Sequence, residues 1–190
     1  FIMYLLLPLI LIIELITKII SKNQIEGSFS RITSEDFKSF IISEVENYKL
    51  EEKEERIIKG ILNLPSMQVK EIMVPRVDMI AVTGNETLPN LKKVFKQYGY
   101  SRIPVYNDSI DDIIGIIYGK DIILKSKIDS ITSLMRKPYF IPENTRIQEL
   151  MNHFKIKKTH IAIVVDEYGG TSGLVTLEDI LEQLVGEIED

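Results

Sequence analysis

The segment Gly173–Asp179 (GLVTLED) combines residue types that can bind a phosphorylated ligand. Gly173 lets the backbone approach a ligand closely. Thr176 places a hydroxyl where an apolar strand gives way to a helix, beside the unpaired amides of the helix N-terminus, which suits a phosphate. Asp179, one turn into that helix, can accept hydrogen bonds from ribose hydroxyls. Together these roles predict a nucleotide site.

The same pattern also has a purely structural explanation. A Thr at the start of a helix often caps it, because its hydroxyl accepts a free backbone N–H of the first turn. Taken alone, the spacing of Thr176 and Asp179 does not distinguish a helix cap from a phosphate site.

A second group of candidates lies along one extended segment. Tyr100, Arg102 and Pro104 alternate along the chain, so their side chains are predicted to share a face. Arg102 carries a fixed charge and a fork of donors for phosphate, and Tyr100 offers a ring that can stack on a base. The alternative is that Arg102 pairs with a surface acid and Tyr100 covers the core.

Composition and motif content exclude several other chemistries. The chain has no Cys, which rules out disulfides, thiolate zinc sites and a cysteine nucleophile. Its two histidines, His153 and His160, are predicted on different elements, which argues against a multi-His metal site. A net charge of −5 argues against a nucleic-acid surface. P-loop, GxSxG, HExxH and GxGxxG patterns are missing from the sequence, so we expect a binding module and no enzyme.

The elements that must position these residues are repeated along the chain. Residues 115–121 (GIIYGKD) align with residues 173–179, and residues 101–105 (SRIPV) align with residues 159–163 (THIAI), both at an offset of 58. Each repeat predicts the order β-α-β-β-α. Neither repeat, at about 60 residues, buries much core alone, so we expect the two to pack against each other.

The predicted bounds follow from apolar periodicity and start signals, such as Thr87 before Pro89. The predicted strands are Met79–Val82, Arg102–Tyr106, Ile113–Tyr118, Tyr139–Ile141, His160–Val165 and Gly173–Val175. The predicted helices are Leu88–Tyr98, Lys120–Leu124, Ile147–Lys157 and Leu177–Val185.

The segment before the repeats differs in character. The first thirteen residues carry no charge, and the apolar run reaches Ile20 with only Glu14 and Lys18 between. A membrane span needs about 20 apolar residues, so we interpret residues 1–20 as the end of a transmembrane domain, with a buried core helix as the alternative. Residues 21–63 are predicted as a helical connector, with two amphipathic helices that begin at a cap on Ser34.

Three segments carry a family resemblance: residues 69–76 (VKEIMVPR), 100–106 (YSRIPVY) and 166–180 (DEYGGTSGLVTLEDI). With the repeat, they resemble the CorC/hemolysin C-like family, relatives of the cyclin-M magnesium transporters, which carry a tandem pair of cystathionine-β-synthase (CBS) domains. The resemblance implies an α+β fold, with CBS domain 1 at residues 64–126 and CBS domain 2 at residues 127–190. It also implies a cytoplasmic CBS pair, attached to the cell membrane through the N-terminal segment and assembled as a homodimer.

The resemblance places the nucleotide in a cleft lined by both repeats, with ATP and Mg²⁺ as the expected ligand. The implied site residues are Val74, Tyr100, Arg102, Pro104, Thr176 and Asp179. Residues 64–190 hold 15 Lys and Arg against 18 Asp and Glu, so a polyanion needs a cation, which we expect to bind through the phosphates without protein ligands. Tyr118 stands where the second repeat has Thr176, which predicts one nucleotide site.

The implied function is regulation by Mg-ATP of a membrane transporter of Mg²⁺ or Co²⁺ acting in efflux. Two alternatives stay open at this point. One is a membrane-active protein of the hemolysin type, and the other is a CBS pair that binds AMP or another adenosyl ligand.

Overall fold

The computed structural model describes residues 33–48, 50–124 and 130–186. The predicted membrane segment at residues 1–20, and residues 21–32 of the predicted connector, lie outside these ranges. Among the described residues, no helix is both long and apolar enough to cross a membrane. The chain divides into two compact units, Phe1–Glu51 and Glu52–Asp190.

Helix α1 (Ser34–Asn47) belongs to the first unit, and Thr33, not Ser34, is its N-cap. The Thr33 hydroxyl accepts the N–H of Asp36 over 3.1 Å, and the Asp36 carboxylate accepts the Thr33 N–H over 2.9 Å. Hydrogen bonds from the Thr33 hydroxyl and amide also hold the pKa of Asp36 below its ordinary value. The cap predicted at Ser34 is therefore wrong by one residue, because Asp36 stands three residues after Thr33 and completes a capping box there.

Helix α2 (Glu52–Asn63) begins the second unit with acidic residues in its first turn, which is favourable at the positive end of a helix. It packs against the final helix, α6 (Leu177–Val185). A Cβ at Gly60 would lie 2.9 Å from the Gln183 carbonyl oxygen and 3.2 Å from the Leu184 Cα. The two helix backbones are therefore in close contact at Gly60.

The first repeat forms a three-stranded sheet with two helices. Its elements are β2 (Val82–Thr83), α3 (Leu88–Tyr98), β3 (Arg102–Tyr106), β4 (Ile113–Tyr118) and α4 (Gly119–Leu124). Strand β2 runs parallel to β3, and β3 runs antiparallel to β4.

The second repeat has the same plan. Its elements are β5 (Phe140–Pro142), α5 (Ile147–Lys157), β6 (Ile161–Val165), β7 (Thr171–Thr176) and α6. Strand β5 runs parallel to β6, and β6 runs antiparallel to β7. The predicted β-α-β-β-α order is thus confirmed in both repeats.

Two predicted strands differ from the structure by more than one residue at an end, and the predicted strands Tyr139–Ile141 and His160–Val165 differ by one residue. The strand predicted at Met79–Val82 is reduced to Val82–Thr83, and a 3₁₀ turn at Arg76–Asp78 precedes it. The Met79 N–H bonds to the Arg76 carbonyl over 3.2 Å, and the Met79 side chain is buried, so an apolar run that resembled a strand is instead the end of a turn. Strand β7 extends beyond the predicted Gly173–Val175, because pairing with β6 continues on both sides.

A short strand that the sequence did not predict joins the two repeats. Strand β1 (Val74–Pro75) precedes the first repeat, yet it pairs with β7 of the second, with Val74 opposite Leu174. Conversely, Arg136 precedes the second repeat and forms a bridge to Ile116 in β4, with both N···O distances at 2.9 Å. Each repeat therefore contributes a segment to the sheet region of the other.

Apolar side chains of both repeats share one buried cluster, as expected from their size. Its buried members are Met79, Ile113, Ile116, Ile161, Ile163 and Leu174. Full burial of one such side chain is worth about 1.5–3 kcal/mol. In addition, Leu64 and Val69, which precede the first repeat, lie in the core of the second. The division of the chain into domains at residues 126 and 127 stays a prediction.

Candidate functional site

A cavity of about 310 Å³ lies between the two repeats. It is bounded by β1, the turn before β3, and the junction of β7 with α6. The predicted site residues that line it are Val74, Tyr100, Arg102, Thr176 and Asp179. Pro104 does not line it, because this residue is buried within β3, opposite Ile116. The face predicted to be shared by Tyr100, Arg102 and Pro104 therefore reaches the cavity only at its first two residues.

Thr176 and Asp179 form a capping box at the start of α6. The Thr176 hydroxyl accepts the Asp179 N–H over 3.2 Å and donates to Asp179 Oδ2 over 2.9 Å, while the Thr176 N–H donates to the same oxygen over 2.6 Å. The structural explanation of this motif is thus confirmed. It does not compete with a binding role, since the same two residues line the cavity.

The two acids in the first turn of α6 respond differently to their surroundings. Burial raises the pKa of Asp179 above its ordinary value, against the opposing hydrogen bonds from Thr176. Burial alone would raise the pKa of Glu178 as well, but hydrogen bonds and the Arg102 guanidinium hold it below its ordinary value. Glu178 is therefore a persistent anion at the edge of the cavity.

Arg102 is held by groups of the second repeat. Its Nη1 donates to Glu178 Oε1 over 3.1 Å, and its Nη2 lies 3.4 Å from Nδ1 of His160. Its buried Nε has no hydrogen-bond partner in the part of the chain that the structure describes. Arg102 thus pairs with an acid, as the alternative interpretation expected, but that acid itself lines the cavity.

Tyr100 stands at the mouth of the cavity. It is 52% exposed, and its ring stacks on Tyr98 with 6.0 Å between centroids and 10° between planes. The alternative role of Tyr100 as a cover for the core stays a prediction, because a covering residue is also partly exposed. Its ring is available to a ligand.

Sequence reasoning missed two acids of the site. Among the described residues that line the cavity, the carboxylates are Asp78, Glu178 and Asp179, and the only guanidinium is that of Arg102. Glu178 could have been found, because it lies in the first helical turn between Thr176 and Asp179. No sequence signal pointed to Asp78, because its place at the cavity depends on the pairing of β1 with β7, which the sequence did not predict.

The corresponding residues of the first repeat are arranged differently. At the offset of 58, Tyr118 corresponds to Thr176 and Asp121 to Asp179. Arg136 donates to Asp121 from both Nε and Nη2, with a shortest distance of 2.7 Å. The Arg136 Cζ also lies 4.2 Å from the centre of the Tyr118 ring. A guanidinium thus joins the two residues that correspond to the capping box.

The CBS-domain family model matches the chain twice, at residues 69–127 and 131–186. This chain belongs to the CBS-domain family. Its CBS pair is similar to Hemolysin C of Brachyspira hyodysenteriae, with 46% identity over 142 residues, which cover 74% of this chain and 53% of that protein. It is also similar to the magnesium and cobalt efflux protein CorC of Escherichia coli K12, with 37% identity over 149 residues, 76% of this chain and 51% of CorC. The chain spans about half the length of these two relatives.

Solved structures place this CBS pair in the CorC/hemolysin C-like family. The CBS domain of a bacterial CNNM/CorC family Mg²⁺ transporter matches with a TM-score of 0.73 and 41% identity, over 83% of this chain and 99% of that one. The same type of domain in complex with ATP matches with a TM-score of 0.66 and 44% identity, over 71% of this chain and 99% of that one. A CBS-domain pair from Klebsiella pneumoniae with bound AMP matches with a TM-score of 0.54 and 32% identity, over 63% of this chain and 99% of that one.

Proposed function

We propose that this CBS pair binds an adenine nucleotide in the cavity between its repeats and thereby regulates a membrane transporter of Mg²⁺ or Co²⁺. The main observation behind this proposal is that one cavity is lined by residues from distant parts of the chain. These residues are Val74, Tyr100, Arg102, Thr176 and Asp179. The ATP and AMP complexes of the similar CBS pairs support the proposal.

Each lining residue has a distinct task in this proposal. The Thr176 hydroxyl, whose proton bonds Asp179 Oδ2 in the structure, turns that proton to a phosphate oxygen, and the positive end of α6 attracts the phosphate. Arg102 adds a charged donor fork for the same phosphates. The capping box engages Oδ2 of Asp179, and Oδ1 accepts a ribose hydroxyl. Tyr100 and Val74 form the apolar surface for adenine.

Mg²⁺ is expected to accompany a nucleoside triphosphate. Three carboxylates and one guanidinium among the described lining residues leave an acidic cavity, which repels a bare polyanion. Mg²⁺ neutralises phosphate oxygens and retains several waters, so it needs few protein ligands. The residues that line the cavity therefore fit a nucleotide that binds together with Mg²⁺.

The regulatory route begins at α6, whose first turn lies at the cavity and whose last turn contacts α2 at Gly60. Nucleotide binding biases the position of α6, and α2 relays that bias towards the N-terminal part of the chain. In this proposal the N-terminal segment is attached to the cell membrane and the CBS pair is cytoplasmic. The transported ion leaves the cell, and the CBS pair acts by binding without catalysing a reaction.

Isothermal titration calorimetry with ATP, ADP and AMP, each with and without Mg²⁺, tests the nucleotide site. We expect one ATP per chain, with higher affinity when Mg²⁺ is present and no detectable hydrolysis. Tighter binding of AMP than of Mg-ATP would assign the site to the monophosphate instead. An absence of binding for all three nucleotides would contradict the proposed function.

We also propose that the pair forms a homodimer through its closing helices. Ile123 and Leu124 in α4 and Leu181 in α6 are 84%, 75% and 46% exposed, so the closing helices present apolar surface that a second copy of the chain can cover. Light scattering should give the mass of a dimer, and Ile123→Asp should shift it to a monomer. The control Ile156→Asp changes an equally apolar residue of α5 that is 77% exposed and should leave the mass unchanged. A monomeric wild-type chain, with and without nucleotide, would contradict this proposal.

A further inference from the structure

Tyr118 occupies a central position between the two halves of the CBS pair. It lies directly opposite Arg102 in the pairing of β3 with β4. The Arg102 Cζ is 5.7 Å from the centre of the Tyr118 ring, and the Arg136 Cζ is 4.2 Å from it. One aromatic ring therefore contacts the guanidinium of the proposed phosphate ligand and a second guanidinium from the linker between the repeats.

Arg136 is itself fixed at three points. Its backbone forms the bridge to Ile116, its Nε and Nη2 donate to the Asp121 carboxylate, and its guanidinium packs on the Tyr118 ring. The Asp121 side chain is only 15% exposed, so this ion pair is shielded on one side. Such a two-point pair has a defined geometry, and the orientation of the Tyr118 ring is restrained by it.

Arg102, in contrast to the forked ion pair of Arg136, is held by single-point contacts: besides Glu178, its Nη2 lies 3.4 Å from Nδ1 of His160, and its side chain is 17% exposed. Its Nε is buried without a hydrogen-bond partner in the described residues, and Nη1 is bound to Glu178, an acid that is 61% exposed at its side chain. An arriving phosphate competes with Glu178 for Nη1, and the ring of Tyr118 stays in contact with Arg102 during that exchange. The attraction between a guanidinium and the electron-rich ring face is what can hold Arg102 in place.

We infer that Tyr118 and Arg136 are positioning residues for Arg102, so that side chains at the first-repeat counterpart of the site serve the nucleotide site of the second. The inference rests on the proposed nucleotide function. It gives a role to the Tyr that replaces the phosphate-binding Thr in the first repeat. It also accounts for the ion pair between Arg136 and Asp121. Asp121 corresponds to Asp179, for which we propose a contact with ribose.

The test compares Tyr118→Phe, which keeps the ring, with Tyr118→Leu, which removes it. Affinities for Mg-ATP and for adenosine are measured by calorimetry, because only ATP reaches Arg102 through its phosphates. We expect Tyr118→Phe to bind both ligands like the wild type. Tyr118→Leu should lose about two- to fivefold in affinity for ATP, the range of an exposed cation–π contact, with adenosine unchanged. Arg136→Lys keeps the charge but loses the planar fork, and it should weaken ATP binding in the same selective way.

A double-mutant cycle separates positioning from general damage. If Tyr118 acts through Arg102, Tyr118→Leu should have no further effect on ATP affinity in an Arg102→Ala background. Equal losses for ATP and adenosine, additive losses in the double variant, or unchanged ATP binding in both Tyr118→Leu and Arg136→Lys would overturn the inference. A wild-type chain that binds neither ligand would instead refute the nucleotide function on which the inference depends. Thermal melts of each variant, compared with wild type, identify any change that simply unfolds the protein.

Discussion

Replacing Thr176 with Ile is expected to abolish nucleotide binding while the CBS pair stays folded. The change removes the hydroxyl that we propose binds phosphate, which should cost about 1.5–3 kcal/mol, or about tenfold or more in affinity. The branched apolar side chain also takes the space of the phosphate. The variant loses the capping box of α6 as well, so we expect a stability decrease of about 1 kcal/mol. Calorimetry and a urea melt measure the two effects separately.

Tyr118→Ile is the matched control in the first repeat, because Tyr118 occupies the position that corresponds to Thr176. We expect a much smaller loss, about two- to fivefold, since its ring contacts Arg102 but no phosphate is placed beside it. An equal loss of ATP binding in both variants would be incompatible with a single site. Normal binding in Thr176→Ile, together with impaired binding in Tyr118→Ile, would assign the nucleotide to the first repeat.

Gly173→Ala is expected to destabilise the protein by about 3 kcal/mol, at the upper end of the usual range for overpacking. A Cβ at this position would overlap the Val74 carbonyl oxygen and lie 3.2 Å from the carbonyl carbon of the same residue. Backbone atoms cannot give way here without separating β1 from β7. Because Val74 lines the cavity, we also expect weaker nucleotide binding. Urea unfolding measures the first effect, and calorimetry of the folded variant measures the second.

Gly115→Ala provides the control at the corresponding position of the first repeat. A Cβ at Gly115 would lie 2.8 Å from both Cβ and Sδ of Met135 and 3.0 Å from its Cγ, so the three nearest atoms all belong to one side chain. The Met135 Sδ and Cγ can move by rotation, and only the Cβ requires a small shift of the chain, so we expect a smaller loss of about 1 kcal/mol. Equal destabilisation by the two changes would show that close contact with β1 is not what excludes a side chain at Gly173.

Local signals in the sequence were sufficient for most of the repeat fold. The caps at Thr87 and Thr176 are confirmed, and the bounds of α3, α5 and α6 agree with the prediction. Helices α3 and α6 have side-chain caps within one turn, whereas α5 begins after Arg146 without one and was predicted from apolar periodicity; a sequence displays both signals directly. The cap of α1 was misassigned for a related reason, because Thr33 and Ser34 offer the same capping group and only Asp36 distinguishes them.

Features that depend on distant pairing were not predictable in the same way. Strand β1 is two residues long, and its partner in β7 lies far along the chain, so periodicity gives no sign of it. The position of Asp78 at the cavity depends on that pairing. Arg136 was missed because its role depends on Asp121 and Tyr118, which are near it only in the folded molecule. Pro104 was misplaced because alternation along a strand does not reveal how far the cavity extends.

The pairing of β1 with β7 also determines when the cavity can form during synthesis. Val74 and Leu174 are paired although they are 100 positions apart in the chain, and such distant contacts form slowly because a long loop must close first. Chains emerge from the ribosome N-terminal end first, so the first repeat is made well before β7 exists. The cavity therefore cannot form before β7 and Thr176 have been synthesised, although Val74 and Arg102 are made much earlier. Under the proposed function, a nucleotide that binds in this cavity stabilises only the assembled pair.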